Sequence, residues 1–232
     1  MRTEGPATSL TEVVYRALRA DILSCRIRPG SKIKIKDVAD RLDASPSAVR
    51  ESLARLSSEG MVAAEPQRGF RAAPISAAEL CDLTKVRVEI EASCIRRAVA
   101  HATVAWEGTL LDLNHRLAHT PMTEADDALR LNDEWARLHH AFHAAIVSTC
   151  DSPILLQIRD QLYQQSERYR RLSVPLATSG RDLAAEHGAI VDALIARDAD
   201  RAAALMSAHI QATSRILLAA QAESGALSPL AA

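Results

Sequence analysis

Two histidines stand four positions apart in the predicted helix 123–149. Residues i and i+4 of a helix share one face, so the imidazoles of His139 and His143 are placed to bind one metal ion. Phe142 and Ile146 flank the pair, which indicates that this face points into a core. The spacing alone leaves open both a metal site and an ordinary buried pair.

Two further histidines, His187 and His209, fall on two later predicted helices. In a helical bundle, four histidines from three helices can converge on one site. A single helical histidine is more often a surface residue or a hydrogen-bonded core residue. This is the expectation for the other four, which are His101, His115, His119 and His140.

The composition is that of a helical globular protein. Of the 232 residues, 48% are hydrophobic and only 3% aromatic, and Gly and Pro are scarce. These values favour helices and exclude collagen-like and low-complexity classes. The four cysteines show no C-x-x-C spacing, as expected for reduced thiols in the cytoplasm. No apolar run approaches the roughly 20 residues of a membrane span, so no membrane partner is expected.

Charge is divided unevenly along the chain, although the net charge is only −1. Residues 1–74 hold 13 Lys and Arg against 9 Asp and Glu, a balance of +4. Residues 75–232 hold 15 against 20, a balance of −5, and they contain all eight histidines. This asymmetry predicts two units with different roles, and a basic excess suits a nucleic-acid partner.

The first unit is predicted to hold three helices and a hairpin. Its signals are a capping box at Ser9–Glu12, a three-residue break between two helices, and a Ser-Pro start to the third helix. The predicted elements are a helix that ends near Cys25, helices at about 37–42 and 46–58 separated by Asp43-Ala44-Ser45, and β segments at about 61–65 and 71–73.

Helix, short turn, helix and hairpin is the order of a winged helix-turn-helix. The third helix would present its first turn to base edges, where Ser45, Ser47 and Arg50 stand. Lys36 is suited to backbone phosphates, and Arg68 at the wing tip to phosphates or a minor groove. A small helical domain that binds no DNA is the alternative that the pattern leaves open.

The second unit is predicted to be all-helical, because apolar residues recur at spacings of three and four and no strand-like alternation is present. The predicted helices are about 77–101, 103–119, 123–149, 153–173, 179–197 and 198–220, a bundle of six or seven. The predicted plan is mainly α: a disordered start over 1–8, a winged helix-turn-helix over 9–74, an all-α domain over 75–221 and a flexible tail over 222–232.

The stretch from Val14 to Pro74 resembles the DNA-binding domain of GntR-type bacterial transcription regulators. The matching runs are Val38-Ala-Asp-Arg-Leu42, Ser45-Pro-Ser-Ala-Val-Arg-Glu-Ser-Leu53 and Arg68-Gly69-Phe70. The resemblance implies that Arg50 contacts DNA. It implies supporting contacts from Lys36, Ser45, Ser47, Arg68 and Gly69.

This unit departs from the family pattern at two positions. Pro46 stands where the family usually has Arg, so one common base contact is missing and a different operator sequence is expected. Asp43 stands where the family usually has Gly, and Asp tolerates the left-handed conformation that Gly favours.

Residues 76–220 resemble the FCD-type ligand-binding domain of the FadR subfamily of these regulators. The matching motifs are Val86-Arg87-x-x-Ile90-Glu91, Phe142-His143-x-x-Ile146, Glu186-His187 and Ala204-Leu-Met-x-x-His209. Many members of this subfamily bind a divalent metal through one Asp and three His. The resemblance places the three His at His143, His187 and His209. His139 takes the Asp position, as in the carbon-starvation-induced repressor branch, to which the surrounding segment is similar.

The resemblance therefore implies a metal site of four histidines. Four neutral imidazoles leave a divalent metal with its full charge, and an all-nitrogen set suits zinc, with nickel as the alternative. Such a centre attracts a carboxylate, and Arg87 offers a planar fork for a second one, with Arg170 as a further candidate. We therefore expect a small dicarboxylate or hydroxy acid as effector.

The leading hypothesis is a metabolite-responsive transcription regulator, a repressor that binds a palindromic DNA operator as a homodimer. It would act in the bacterial cytoplasm, associated with the nucleoid, and would not be an enzyme. The alternatives are a regulator for which the metal itself is the signal, and a zinc-dependent hydrolase. Against the hydrolase, the sequence has no H-E-x-x-H and no G-x-S-x-G motif.

Overall fold

A computed structural model describes residues 9–127, 130–174 and 181–224. The chain divides into two compact units, which separate between Ser76 and Ala77. The predicted disordered start at 1–8 and residues 225–232 of the predicted tail lie outside the described residues.

The first unit contains three helices and a small antiparallel sheet. Its elements are α1 (Leu10–Leu23), β1 (Lys32–Ile33), α2 (Ile35–Leu42), α3 (Pro46–Ser58), β2 (Val62–Glu65) and β3 (Gly69–Ala72). Strand β3 lies between β1 and β2, with Lys32 opposite Arg71 and Val62 opposite Ala72. The predicted winged helix-turn-helix is confirmed, although α2 begins at Ile35, two residues earlier than expected.

Local signals position the helix pair of this unit. The Ser45 hydroxyl accepts a hydrogen bond from Ala48 N across 3.2 Å, and Pro46 follows at the first helical position, where no N–H is needed. Asp43 ends α2 in the left-handed conformation, with φ of 47°. Val49 and Leu53 then point into a core in which both are fully buried.

The second unit is a helical bundle, as predicted. Its described part holds six helices: α4 (Ala77–Ala100), α5 (Val104–Ala118), α6 (Asp133–Ile146), α7 (Pro153–Ser173), α8 (Leu183–Ile195) and α9 (Ala199–Ser224). Helix α4 packs on α7 and α9, α5 packs on α6 and α8, and α8 packs on α9. Phe142, Ile146, Leu194 and Met206 are fully buried in the shared core.

The prediction of one helix over 123–149 was wrong at both ends. Helix α6 begins at Asp133, because Asn132 caps it by accepting a hydrogen bond from Trp135 N across 2.9 Å. Before it, Thr123 pairs with Leu131 in an isolated antiparallel bridge. The preceding segment therefore forms a loop that presents Asn132 to the helix.

The predicted tail also begins too early. Helix α9 continues to Ser224, two residues beyond Ala222, because the run Ala-Gln-Ala-Glu before it consists of strong helix formers. Within the three described ranges, no helix has the length and hydropathy that crossing a membrane requires.

Candidate metal centre and nucleic-acid interface

Four buried histidines converge inside the second unit. His139 and His143 come from α6, His187 from α8 and His209 from α9, and none is more than 7% exposed. One ring nitrogen of each lies within 4.8 Å of the corresponding atoms of the other three. All four histidines selected from the sequence are thus brought together.

The ring nitrogens of His139 and His143 have the spacing that a small metal ion requires. His139 Nε2 and His143 Nε2 are 3.1 Å apart, and tetrahedral zinc with Zn–N bonds of about 2.05 Å holds its ligand nitrogens about 3.3 Å apart. The ring centroids of His187 and His209 are 4.8 Å apart, and those of His143 and His209 are 5.2 Å apart. His187 Nε2 is buried and has no hydrogen-bond partner among the residues that the structure describes, as expected of a ligand atom.

Two side chains orient the rings from behind. His209 Nδ1 lies 2.7 Å from a Glu186 carboxylate oxygen, and His139 Nδ1 lies 3.0 Å from the Tyr163 hydroxyl. Each contact turns the Nε2 atom of that ring toward the centre. A carboxylate behind a ligating histidine is the arrangement that fixes its tautomer and raises its basicity.

Arg181 holds Glu186 in place. Its guanidinium donates two hydrogen bonds to the Glu186 carboxylate, across 2.9 and 2.8 Å, and a third to the backbone oxygen of His209 across 2.9 Å. Burial raises the pKa of Glu186, but hydrogen bonds from Arg181 and His209 outweigh it and lower that pKa to about 2. Glu186 is therefore an anion at neutral pH.

The environment keeps all four imidazoles neutral. Burial is the main cause, and it lowers the pKa of His139 and His143 well below 6.5 and that of His187 to about 3. Burial also lowers the pKa of His209, although Glu186 opposes this effect. Neutral imidazole is the ligand form of histidine, so the cluster has the composition, spacing and protonation state needed to hold a divalent metal.

A cleft that is partly open to solvent adjoins the cluster. His139 and His209 line it together with both arginines selected from the sequence, Arg87 and Arg170. A bound molecule in this cleft would therefore meet the histidine cluster and a guanidinium at once.

Arg87 belongs to a buried group with more positive than negative charge. It donates to Ser166 Oγ across 2.7 Å and pairs with Glu91 at 3.4 Å, and the same Glu91 oxygen accepts from Arg159 across 3.1 Å. Burial lowers the pKa of Arg87, and Glu91 opposes that effect. Within the described part of the chain, Arg87 Nε and Arg159 Nη2 have no hydrogen-bond partner, and the two cations share one carboxylate.

Arg170 is less available for a ligand than the sequence suggested. Its guanidinium forms a bidentate salt bridge with the Glu167 carboxylate, in which Nε lies 3.0 Å from Oε2 and Nη2 donates to Oε1. It also lies over the Trp135 ring, with Cζ 5.2 Å from the centroid. A carboxylate would have to displace Glu167 to use this fork.

The residues selected for DNA binding are all exposed. They are Lys36, Ser45, Ser47, Arg50, Arg68 and Gly69. Among the described residues, the three basic ones in this set make no ion pair, whereas Arg41 pairs with Asp21 at 2.7 Å and Arg55 with Glu12 at 2.9 Å. Unpaired cations on the third helix, the helix before it and the wing are available to phosphates and bases.

The tip of the wing depends on backbone conformation. Gln67 and Gly69 both have positive φ, of 61° and 93°, and Arg68 N donates to Glu65 O across 3.0 Å. This turn holds Arg68 at the outermost point of the hairpin. Glycine is the residue that adopts such a conformation without strain.

Comparisons with known proteins agree with both units. Residues 10–71 match the family "Bacterial regulatory proteins, gntR family", and residues 82–212 match the FCD domain. The chain belongs to the GntR family of bacterial transcriptional regulators. It is an FCD-type GntR regulator, and the predictions of DNA binding, of an effector domain and of no enzymatic activity are confirmed.

Relatives match over nearly the whole chain. The HTH-type transcriptional regulator BphR of Paraburkholderia xenovorans LB400 is 33% identical over 90% of this chain and 85% of its own. The HTH-type transcriptional repressor GlaR of Escherichia coli K12 is 33% identical over 84% of this chain and 90% of its own. Among solved structures, E. coli McbR/YncC has the same fold, with a TM-score of 0.74 and 22% identity. The match covers 90% of this chain and 97% of the McbR chain. The proposed carbon-starvation-induced branch stays a prediction.

Sequence reasoning missed the groups that surround the histidines in this GntR regulator. Tyr163 and Ser166 carried no recognisable signal, because each acts through a contact with a residue far away in the chain. Arg181 was also missed, although its partner Glu186 is only five positions away. Arg159 was noted only as part of a motif similar to the carbon-starvation-induced branch. Glu186 was noted only as part of a matching motif. Its position directly before His187 places it on α8, but its contact with His209 depends on the packing of α8 on α9.

Proposed function

We propose that this GntR regulator is a repressor that binds a palindromic operator as a homodimer and responds to a small carboxylic acid. The acid would bind in the cleft of the FCD domain, between a metal held by the four histidines and Arg87. A dicarboxylate or hydroxy acid suits the two ends of such a site.

The observation that carries the proposal is the shared lining of one cleft. His139 and His209 face the same space as Arg87, and the buried Nε of Arg87 has no partner in the three described ranges. Zinc is the proposed metal and nickel the alternative, because four neutral nitrogens suit borderline metals better than magnesium or calcium. When bound, the metal would supply a positive charge that attracts the acid.

On the DNA side, Arg50 is proposed as the principal contact, supported by Lys36, Ser45, Ser47 and the wing residues Arg68 and Gly69. The Ser45 hydroxyl oxygen already caps α3, so its contact with DNA would use the hydroxyl hydrogen, which can be donated to a phosphate or a base. A homodimer would place one winged helix on each half of the operator, in the cytoplasm and on the nucleoid.

Regulation requires the acid to bind the two arrangements of the dimer unequally. The difference between those two affinities limits how far the equilibrium between the DNA-binding and released forms can move. We propose that the acid favours an arrangement in which the spacing of the winged helices no longer matches the operator.

The test is operator binding by fluorescence anisotropy, with operators obtained by selection from random DNA. Zinc-loaded and metal-stripped protein would each be titrated with succinate, L-malate, glutarate and citrate. We expect at least one acid to release the operator from the zinc-loaded protein only. Equal release after complete removal of the metal would overturn the metal-bridged site, and binding that is only non-specific and salt-sensitive would overturn the operator model.

The alternative in which the metal is the signal predicts a different dependence. DNA affinity would then change with free zinc in the absence of any acid. Complete burial of the four rings favours a permanent cofactor, because such a site exchanges its metal slowly. A titration of operator affinity against buffered free zinc separates these two functions.

A further inference from the structure

Tyr163 connects the histidine cluster to the cleft. Its hydroxyl lies 3.0 Å from His139 Nδ1, and its side chain lines the cleft although only 3% of the residue is exposed. Among the described residues, no second hydrogen-bond partner of this hydroxyl is found. The hydroxyl carries one hydrogen, so its direction depends on which atom of the pair donates.

Without a metal, the hydroxyl hydrogen of Tyr163 can find an acceptor inside the cluster. The Tyr163 hydroxyl can donate to His139 Nδ1, and the hydrogen of His139 then resides on Nε2. From there it can donate to His143 Nε2, 3.1 Å away, which leaves the hydrogen of His143 on Nδ1, an atom without a partner among the described residues. In this arrangement the tyrosine hydrogen points at the histidine and away from the cleft.

A metal on His139 Nε2 would fix the direction of the contact with Tyr163. A neutral imidazole has one N–H, so a ligating Nε2 leaves that hydrogen on Nδ1. His139 Nδ1 must then donate to the tyrosine oxygen, and the tyrosine hydrogen must turn elsewhere. A buried hydroxyl hydrogen without an acceptor costs free energy, and the cleft is where an acceptor can be supplied.

Arg87 indicates what kind of acceptor this is. Its guanidinium carbon lies 4.9 Å from the centroid of the Tyr163 ring, on the wall of the same cleft. A group beside both side chains meets a cation and a hydroxyl donor, which are the partners of a carboxylate oxygen.

We propose that Tyr163 binds the effector directly, donating its hydroxyl hydrogen to an effector carboxylate oxygen, and that it does so only when the four-histidine site holds a metal. This inference rests on the proposed function, because it requires an acid in the cleft. It means that metal affinity and acid affinity are coupled through a hydroxyl that touches no metal, and such coupling is reciprocal.

The first test is calorimetry on the full-length protein, zinc-loaded and metal-stripped, with succinate, L-malate, glutarate and citrate. Tyr163→Phe is compared with the wild type, and Tyr15→Phe, in α1 of the first unit, is the matched control. At saturating zinc we expect Tyr163→Phe to weaken acid binding about tenfold or more and Tyr15→Phe to leave it within threefold of the wild type. In stripped protein we expect Tyr163→Phe to match the wild type within twofold. Zinc content and melting temperature verify that the variants are loaded and folded.

The second test uses the unaltered chain. It contains only three tyrosines, so a sample labelled with ¹³C at the ring carbon that bears the hydroxyl gives three resonances, assigned with the two Phe variants. We expect zinc alone to shift the Tyr163 resonance, because its oxygen changes from donor to acceptor, and acid to shift it again.

The outcomes distinguish the role of Tyr163 from the proposed acid site itself. If an acid binds the zinc-loaded wild type and Tyr163→Phe equally well, the proposed role of Tyr163 is wrong and the acid site stands. The same conclusion follows if Tyr163→Phe loses the same acid affinity with and without zinc. A Tyr163 resonance that zinc does not move also overturns the role of Tyr163. If no acid binds the zinc-loaded wild type, the proposed function fails and this inference fails with it.

Discussion

Glu186 and His209 are joined by a 2.7 Å contact between a carboxylate oxygen and Nδ1, although they belong to different helices. The contact leaves His209 Nε2 as the atom that faces the other three rings. It also places a negative charge behind one ligand of a cluster whose members are otherwise neutral. The affinity of the cluster for a metal should therefore depend on a residue that is not itself a ligand.

Removing this carboxylate should weaken metal binding. We expect Glu186→Ala to lower zinc affinity about 10- to 100-fold, the range seen when the hydrogen-bond partner of a ligating histidine is lost. Competition with a chromophoric chelator measures the change. Glu134→Ala, at an exposed carboxylate that pairs with Arg137, should leave the affinity unchanged. An unaltered zinc affinity in Glu186→Ala would contradict the assignment of His209 as a ligand.

The identity of residue 139 should set the metal preference. We expect His139→Asp to shift the selectivity of the site from zinc and nickel toward manganese, because a carboxylate lowers the net charge of the centre and is a harder ligand. Competition between zinc and manganese, read by elemental analysis, measures the preference. His115→Asp, on the surface of α5, is the control. The same zinc-to-manganese ratio in His139→Asp and wild type would remove His139 from the ligand set.

Metal-stripped protein should lose stability as the pH falls below about 6.5. The four histidines have folded-state pKa values below the ordinary 6.5, so the unfolded chain binds more protons than the folded one below that pH. Each neutral histidine then lowers the free energy of unfolding by up to about 1.4 kcal/mol per pH unit. Above about pH 7.5 these histidines are neutral in both the folded and the unfolded chain, so they no longer lower the free energy of unfolding.

Urea denaturation at pH 7.5 and 5.5 measures this effect. His187→Gln cannot gain a proton, so its stability should change less between the two pH values than that of the wild type. His115→Gln should behave like the wild type, since His115 is exposed. Equal unfolding free energies at both pH values for stripped wild type would show that the rings are not held neutral.

Two substitutions in the first unit should separate base reading from phosphate binding. Arg50→Ala should weaken specific operator binding by about 1–3 kcal/mol, with little effect on random DNA. Lys36→Ala should weaken binding to operator and to random DNA to a similar degree. It should also reduce the salt dependence of binding by the amount expected for the loss of about one phosphate contact. Arg96→Ala, at an exposed residue of α4 that pairs with Asp200, should change neither. Equal losses on operator and random DNA for Arg50→Ala would make Arg50 a phosphate contact.

The winged helix was predictable from sequence because its boundaries are set by local chemistry. Ser45 caps α3 through its own hydroxyl, and Asp43 ends α2 through its own backbone conformation. Neither feature depends on a distant residue. Asn132 caps α6 in the same local way, but the sequence analysis did not use this signal and placed the start of the helix near residue 123.

The histidine cluster was predictable only in part. The shared face of His139 and His143 follows from helix geometry, whereas the addition of His187 and His209 came from the resemblance to known regulators. Tyr163 lies 24 positions from its partner His139, and Arg159 lies 68 positions from Glu91. Such pairs follow from how α7 packs on its neighbours, which a sequence pattern does not encode.

The four rings come from three separate helices, with α6, α8 and α9 each contributing at least one. An ion held by all of them would act as a removable cross-link of the folded state. At a free concentration 100 times its dissociation constant it would add about 2.7 kcal/mol to the free energy of unfolding, a large share of the stability of a domain. Scarcity of the metal would then expose the chain to proteases and lower its abundance, so a starved cell would lose the protein itself along with its response to the acid.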